Sequence, residues 1–306
     1  MRPENVWVLI CTYRRPEQLG ALLDSLRRVD MPEGTDLEQP QVIVVDNAER
    51  PSAAEVVRRV YPRARFLHEP RPGIASARNA SLEAVPESAE AVIFVDDDEQ
   101  VTPGWFTALL AAAESSGADA VSGPVLPQFL HGEPAWVAEY GYVRRTDFPT
   151  GPHQRRLATN NTLVRAEWFT RRGWRFDETF NFAGGSDSDL FERMLRDGAR
   201  FFWCAEAVVT EQVPAERASK EWLRRRAVRG GRVRAMKLRR RTAAVPAAVR
   251  TAAEGLARCG YGSLRRAGKR LRGRPITYTD DYYLCEGLGM LGSLTGAGRD
   301  EYGRPA

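Results

Sequence analysis

The stretch AVIFVDDDEQVTPGW, residues 91–105, decides how the rest of the chain is read. Val92, Ile93, Phe94 and Val95 are branched or aromatic, the pattern of a strand buried on both faces. The run stops at four consecutive acids, Asp96, Asp97, Asp98 and Glu99. Carboxylates this close repel and raise one another's pKa values unless a cation sits among them. The cluster therefore reads either as a cation-dependent site or as a solvated turn opening the next helix, with Pro103 near its first turn.

The flanking sequence repeats the apolar pattern. Residues 6–11 (VWVLIC), 41–45 (QVIVV) and 65–68 (RFLH) predict strands, and residues 16–29, 51–61 and 73–85 predict helices between them. Continuous apolar strands alternating with helices imply a parallel sheet covered on both faces. Ligands of such sheets bind beyond the carboxyl ends of the strands. The residues found there are Thr12, Tyr13 and Arg14, then Asp46 and Asn47, then Glu69 and Arg71, then Asp96 to Asp98. Polar groups from four strand ends would meet in one crevice, although Asp46-Asn47 alone also suits a simple turn.

Past Trp105, a helix (WFTALLAAAESSGA) leads to one expected strand, AVSGPVL. A Pro- and aromatic-rich region to about residue 157 reads as acceptor-side loops or a lid rather than core. Residues 157–173 predict a strand and a short helix, and residues 187–197 a helix stopped by Gly198 and followed by a strand.

Hydrophobic and charged fractions of 43% and 28% over 306 residues fit a soluble globular protein. The four cysteines are scattered without a CxxC pair, which argues against a zinc ribbon or disulfide framework and fits a reducing compartment. His68, His131 and His153 show no metal-site spacing. The N-terminus lacks a signal-peptide pattern and no apolar run approaches the roughly 18 residues of a spanning helix. A cytoplasmic protein is expected. Residues 217–274 hold 20 Lys and Arg against two acids, while the rest of the chain holds 25 against 38. This basic segment predicts helices interrupted at Gly230-Gly231, and three fates are open to it. It can lie on an anionic membrane as an interfacial helix, bind nucleic acid, or remain a solvated extension. Few aromatics suited to base stacking lie between Arg224 and Arg258, so nucleic acid is the unlikely partner.

The ordered set CTYRRPEQLGALLDSL, VIVVDNAE, EPRPGIASARNASLE, VIFVDDDEQVTPGWFTALL, GGSDSDLFERMLRDG and WLRRRAVRGG resembles the family 2 glycosyltransferases, across about residues 5–231. That is the large GT-A group of inverting, nucleotide-sugar-dependent enzymes. The resemblance implies an α/β GT-A fold, a Rossmann-like mixed sheet flanked by helices, with a basic helical C-terminal extension. It divides the chain into a catalytic domain, 1–215, and a tail, 216–306. Within the first, 1–122 would bind the nucleotide sugar and 123–215 the acceptor.

Roles follow residue by residue. Asp96 and Asp98 match the family's DxD motif, in which Mg²⁺ or Mn²⁺ bridges a carboxylate and the donor diphosphate. Asp98 is the implied direct ligand, with Asp96 facing the ribose or a metal-bound water and Asp97 beside them. Thr12, Tyr13 and Arg14 would contact base and ribose, Asp46 the uracil-like ring NH with Asn47 alongside, and Arg78 the diphosphate or base. A helix beginning at Gly73 would also favour phosphate. Asp187 stands where the family carries its catalytic base. Two positions depart from the pattern: Ser186 replaces the usual Glu, and Thr210-Glu211 replaces a frequent His. Glu211 is open to two readings, a further oxygen ligand for the cation or a surface acid. Trp222, with Arg225 or Arg226, reads as closing over the donor phosphate or the acceptor, or Trp222 as a core anchor, and Trp136, Asn160, Asn161 and Ser186 as candidates for sugar or acceptor contact.

The implied activity is transfer from a nucleoside-diphosphate sugar, UDP favoured, to a glycan or polyprenyl-linked saccharide at the inner face of the cell membrane. A non-catalytic scaffold docked through its basic tail is the alternative. A nucleotidyltransferase is ranked last, because CTYRRPEQ has no glycine for a phosphate loop.

Overall fold

The computed structural model describes residues 1–130, 132–142, 148–153 and 157–295. His131, part of the expected acceptor-side loops and the last eleven residues of the tail lie outside the described residues. The first half runs β1 (Val6–Thr12), α1 (Pro16–Leu26), β2 (Gln41–Asp46), α2 (Ala54–Val60), β3 (Arg65–His68), α3 (Ile74–Glu83) and β4 (Ala91–Asp96). Next come β5 (Glu99–Val101), α4 (Trp105–Ser116), β6 (Ala120–Ser122), β7 (Val125–Phe129), α5 (Trp136–Tyr140), β8 (Gly151–His153) and β9 (Thr162–Arg165). The chain continues as α6 (Glu167–Thr170), α7 (Ser186–Arg196), β10 (Phe201–Trp203) and β11 (Val209–Val213). Three long helices follow, α8 (Lys220–Arg241), α9 (Ala244–Leu271) and α10 (Tyr278–Gly292).

Eight strands form one mixed sheet in the order β3-β2-β1-β4-β9-β6-β10-β8. The β3, β2, β1 and β4 neighbours are parallel, whereas β9 is antiparallel to both β4 and β6. Their alternating side chains feed two cores. Ile10, Val44 and Ile93 pack under α1, α2 and α4, and Leu9, Val45 and Phe94 pack against α3 and α7. Registers Thr12↔Asp46 and Cys11↔Asp96 bring the carboxyl ends of three strands side by side.

Two elements depart from expectation. The acidic run does not open a helix: after Asp98 the chain forms β5, in a second sheet ordered β5-β11-β7. The expected strand AVSGPVL is cut into β6 and β7, one in each sheet. The cut falls at Gly123, where a Cβ would stand 2.1 Å from the carbonyl oxygen of Ala207.

The Gly230-Gly231 pair does not interrupt its helix; α8 is continuous through it. The glycine serves helix contact instead. A Cβ on Gly231 would lie 2.0 Å from the Glu286 carbonyl oxygen of α10. Much of the tail's positive charge is turned inward onto acids. Arg265 and Lys269 pair with Asp280, Arg224 and Arg266 with Asp281, Arg258 with Glu286, and Arg240 with Asp177. The tail is thus a packed helical unit rather than a solvated extension. Among the described residues, no helix is long and apolar enough to cross a membrane.

Candidate active site

A cleft of about 1210 Å³ opens beyond the carboxyl ends of β1 and β4. The acidic cluster forms one end. Asp97 is buried and accepts hydrogen bonds from Thr12 Oγ1 at 2.8 Å and Arg15 Nη1 at 3.1 Å. The same Nη1 stands 3.1 Å from Asp98 Oδ2. On the other side Arg217 Nη1 lies 3.2 Å from Asp98 Oδ2 and 3.4 Å from Glu211 Oε1.

These arginines leave the cluster short of positive charge. Burial, with the neighbouring Asp98 and Asp96 carboxylates, pushes Asp97 up to about 6 against the pull of Arg15 and Thr12. Burial and then Asp98 raise Glu211. Glu99 is raised well above the usual carboxylate range, by burial first and Asp96 second. It stands directly across the ladder from Glu211, a like-charge pairing that costs a sheet stability. Its Oε2 accepts from the Asp96 N–H at 2.9 Å, while Oε1 is buried without a hydrogen-bond partner among the described residues.

The opposite end is the start of α7. Gly184 and Gly185 both have left-handed backbones, and a Cβ on Gly185 would meet Val233 of α8 at 2.5 Å. This turn sets Asp187 on the cleft wall, half-buried, with no hydrogen bond or ion pair among the described residues. Asp189 is instead committed to Arg193, with 2.8 Å from Oδ2 to Nε. Arg78 joins the two ends: its Nη1 donates to Ser186 Oγ at 3.1 Å and its Nη2 lies 3.6 Å from Asp96 Oδ1. Its side chain is 11% exposed, so it is no surface arginine.

The cleft wall thus includes Thr12, Tyr13, Asn47, Arg78, Asp96, Asp97, Asp98, Asn160, Asp187, Glu211 and Trp222 among the expected residues. Others are placed elsewhere. Asp46 is fully enclosed, its carboxylate accepting from the N–H groups of Ala48, Ser52 and Ala53 and from the Ser52 hydroxyl. It shapes the loop before α2 and offers no oxygen to the cleft. Asn47 lies on the wall, its Nδ2 donating to the carbonyls of Glu69 and Arg71, 2.7 Å each, and so holds the Pro72-Gly73 turn. Glu69 and Arg71 pair with each other at 2.8 Å. Arg14 turns to Glu49 at 2.7 Å, and its neighbour Arg15 takes the place at the acids.

Asn161 is buried with φ 59° and pins three segments: it accepts from the Trp105 indole at 2.7 Å and donates to the carbonyls of Pro124 and Ala207. Trp136 does not line the cleft itself; its ring packs on Tyr140 and on Tyr142, which does. Ser186 is fully buried beneath Arg78. The first N–H groups of α3 are occupied, because Asn181 Oδ1 accepts from Ala75 at 2.9 Å and Ser76 at 3.0 Å. The phosphate site expected at Gly73 is therefore filled by a side chain.

A sequence profile described as "Glycosyl transferase family 2" matches residues 7–177. The chain belongs to glycosyl transferase family 2. It is also 36% identical over 226 residues to the succinoglycan biosynthesis protein ExoM of Rhizobium meliloti (strain 1021), covering 72% of this chain and 71% of that protein. Among solved structures, S. aureus TarS superposes with a TM-score of 0.53 at 18% identity, over 74% of this chain and 39% of that chain. TarS 1–349 in complex with UDP-GlcNAc gives 0.54 at 17%, over 74% of this chain and 66% of that chain. The family 2 chain thus spans about two fifths of the whole TarS chain, and at such identities the likeness speaks for the GT-A fold alone.

Mg²⁺ or Mn²⁺, implied by the resemblance, can be tested against the donor atoms present in this glycosyltransferase. Among the described residues, no three acid, His or Cys side chains converge as a ready cage. Asp98 and Glu211 nevertheless share one nitrogen of Arg217, with Arg15 also on Asp98, so two hard oxygen donors already converge on positive charge. Octahedral cations of this kind commonly take one or two carboxylates and fill the remaining positions with substrate phosphate and water. The residues fit a cation completed by the donor, which would take the place that the Arg217 guanidinium holds between Asp98 and Glu211.

Proposed function

We infer that the protein is an inverting glycosyltransferase that moves a sugar from a nucleoside-diphosphate sugar to a saccharide acceptor, with UDP as the nucleotide. The observation that carries this reading is one cleft with four carboxylates, Asp96, Asp97, Asp98 and Glu211, at one end and, at the other, Asp187, which has no hydrogen bond or ion pair among the described residues. The TarS 1–349 structures with UDP and with UDP-GlcNAc support the choice of nucleotide.

Asp98 and Glu211 would hold a divalent cation, which when bound neutralises charge growing on the departing diphosphate. Thr12 and Arg15 fix Asp97, and through it the strand end on which the diphosphate rests. Arg78 keeps Asp96 and the first turn of α7 at a set separation. Asp187 takes the proton of the acceptor hydroxyl as that oxygen attacks the anomeric carbon from the face opposite the leaving group. No covalent enzyme intermediate is required.

The acceptor is a glycan or polyprenyl-linked saccharide, reached at the inner face of the cell membrane through the basic tail. Past Asp187 the wall is α8, lined by Arg226 and Arg229 and by Arg234 and Lys237, the last two paired with Glu254 and Glu192; guanidinium groups there suit an acceptor that carries phosphate. The name of the ExoM relative supports a role in polysaccharide biosynthesis.

The test is release of UDP from UDP-glucose, UDP-galactose and UDP-GlcNAc, with and without a polyprenyl-diphosphate saccharide. Acceptor-dependent release from one donor, abolished by EDTA, is expected. Donor binding without acceptor-dependent release from any of the three would favour the scaffold reading.

A further inference from the structure

The outward face of α9 is apolar in a segment where most other long side chains are basic. Val245, Val249, Leu256, Leu264 and Leu271 are 75%, 65%, 62%, 74% and 88% exposed. Their spacings of four, seven, eight and seven keep them on one stripe of a helix, with exposed Ala253, Gly260 and Ala267 between them. At 1.5 Å per residue the stripe is about 39 Å long. It lies opposite the face that packs on α10 through Thr251, Gly255 and Gly262. Single exposed leucines need no explanation, but a continuous uncharged stripe marks an interaction surface.

Charge decides what covers it. Residues 241–274 hold nine basic residues and one acid, Glu254, whose carboxylate is taken by Arg234 and Arg250. Arg258, Arg265, Arg266 and Lys269 turn inward to the acids of α10, which leaves the stripe itself free of charge. Arg270, Arg272 and Arg274 stand exposed at its end. A second copy would bring two basic rims together. Nucleic acid would meet aliphatic side chains where phosphate contacts belong. An anionic bilayer matches both parts, apolar side chains entering the interface and arginines meeting headgroups.

We propose that α9 is the membrane-seating element: it lies in the plane of an anionic lipid surface with Val249, Leu256 and Leu264 entering the acyl boundary. The proposal rests on the reading that the tail meets a membrane, and is independent of the sugar-transfer reading. The test is sedimentation of the full chain with phosphatidylglycerol–phosphatidylcholine vesicles and with pure phosphatidylcholine vesicles. Wild type is compared with Leu256→Ser/Leu264→Ser and with Arg270→Gln/Arg272→Gln/Arg274→Gln, after circular dichroism and an unchanged thermal unfolding midpoint establish that each variant is folded.

The expected result is binding to the anionic vesicles, weaker binding to the neutral ones, and a loss of about a hundredfold in the leucine variant. The arginine variant should lose the preference for anionic lipid. Wild-type partition retained by the leucine variant would overturn the assignment of the face while leaving the membrane reading standing. Failure of the wild type on anionic vesicles would overturn both. A dimer, or duplex RNA binding, abolished by the leucine substitutions would also overturn it, by giving the stripe another occupant.

Discussion

Asp187→Asn should lower kcat about a thousandfold while leaving the affinity for UDP within a factor of about two, the signature of a lost general base. Asparagine keeps the size and the place at the start of α7, so neither the Arg78–Ser186 hydrogen bond nor the helix should move. Asp189→Asn is the matched control. It sits two residues on, also in the first turn, but its carboxylate serves Arg193. A dipole role common to both carboxylates would give equal, small effects on rate. Transfer kinetics at saturating donor, with the binding constant measured separately, distinguish the two. Equal effects from the two substitutions would remove Asp187 from the chemistry.

Asp281→Ala should destabilise the protein by about 1–3 kcal/mol, because it strips a shared hydrogen-bond acceptor from the Tyr140 hydroxyl and from two partly exposed arginines. The Asp281 carboxylate has no solvent exposure and ties α5, α8 and α9 to its own helix, α10. It accepts from the Tyr140 hydroxyl at 2.6 Å, from Arg224 Nε of α8 at 2.6 Å and from Arg266 of α9. Its neighbour Asp280 behaves similarly with Arg265 and Lys269. Burial opposes its ionisation, yet hydrogen bonds from Lys269, the Thr277 backbone and Arg265 hold it well below the usual carboxylate range. A depressed folded pKa means that this stabilisation is complete above the unfolded value of about 3.9 and is lost as pH falls through the folded value. Denaturant unfolding should therefore show stability falling below about pH 4, with a shallower fall in Asp280→Asn. An unchanged midpoint in Asp281→Ala would show that the tail is held by its glycine contacts and apolar packing alone.

The sheet, its first strands and the place of the cleft were legible because a buried parallel strand writes its character into consecutive residues, whereas the order β3-β2-β1-β4 was not. Side-chain direction past a strand end is not written that way. Asp46 and Asn47 are adjacent, but only the second lines the cleft; Arg14 and Arg15 are adjacent, and again the second meets the acids. In both pairs the loop backbone chooses, and Arg14 reaches its place only through a left-handed φ of 53°. Asn161 likewise reads as a candidate sugar or acceptor contact, and in the structure it pins segments distant in sequence.

The short strand β5 was hidden because its partner, β11, lies over a hundred residues away. Gly230-Gly231 misled for a physical reason as well. Glycine lowers helix propensity, but the close approach of α10 requires a position without a Cβ and outweighs that cost. Arg15 and Arg217 carried one weak signal, positive charge near a cluster that needs it. Only folding shows which arginines of so many arrive.

The central claim is that the acidic cluster at the end of β4 binds a nucleoside diphosphate through a cation. Calorimetric titration of UDP into wild type and Asp98→Ala, each with Mn²⁺ and with EDTA, tests it most directly, with GDP and dTDP as controls. The account predicts saturable UDP binding in the presence of Mn²⁺ that disappears with EDTA and in Asp98→Ala. UDP binding of equal strength in all four titrations, or none by a folded wild type, would contradict it.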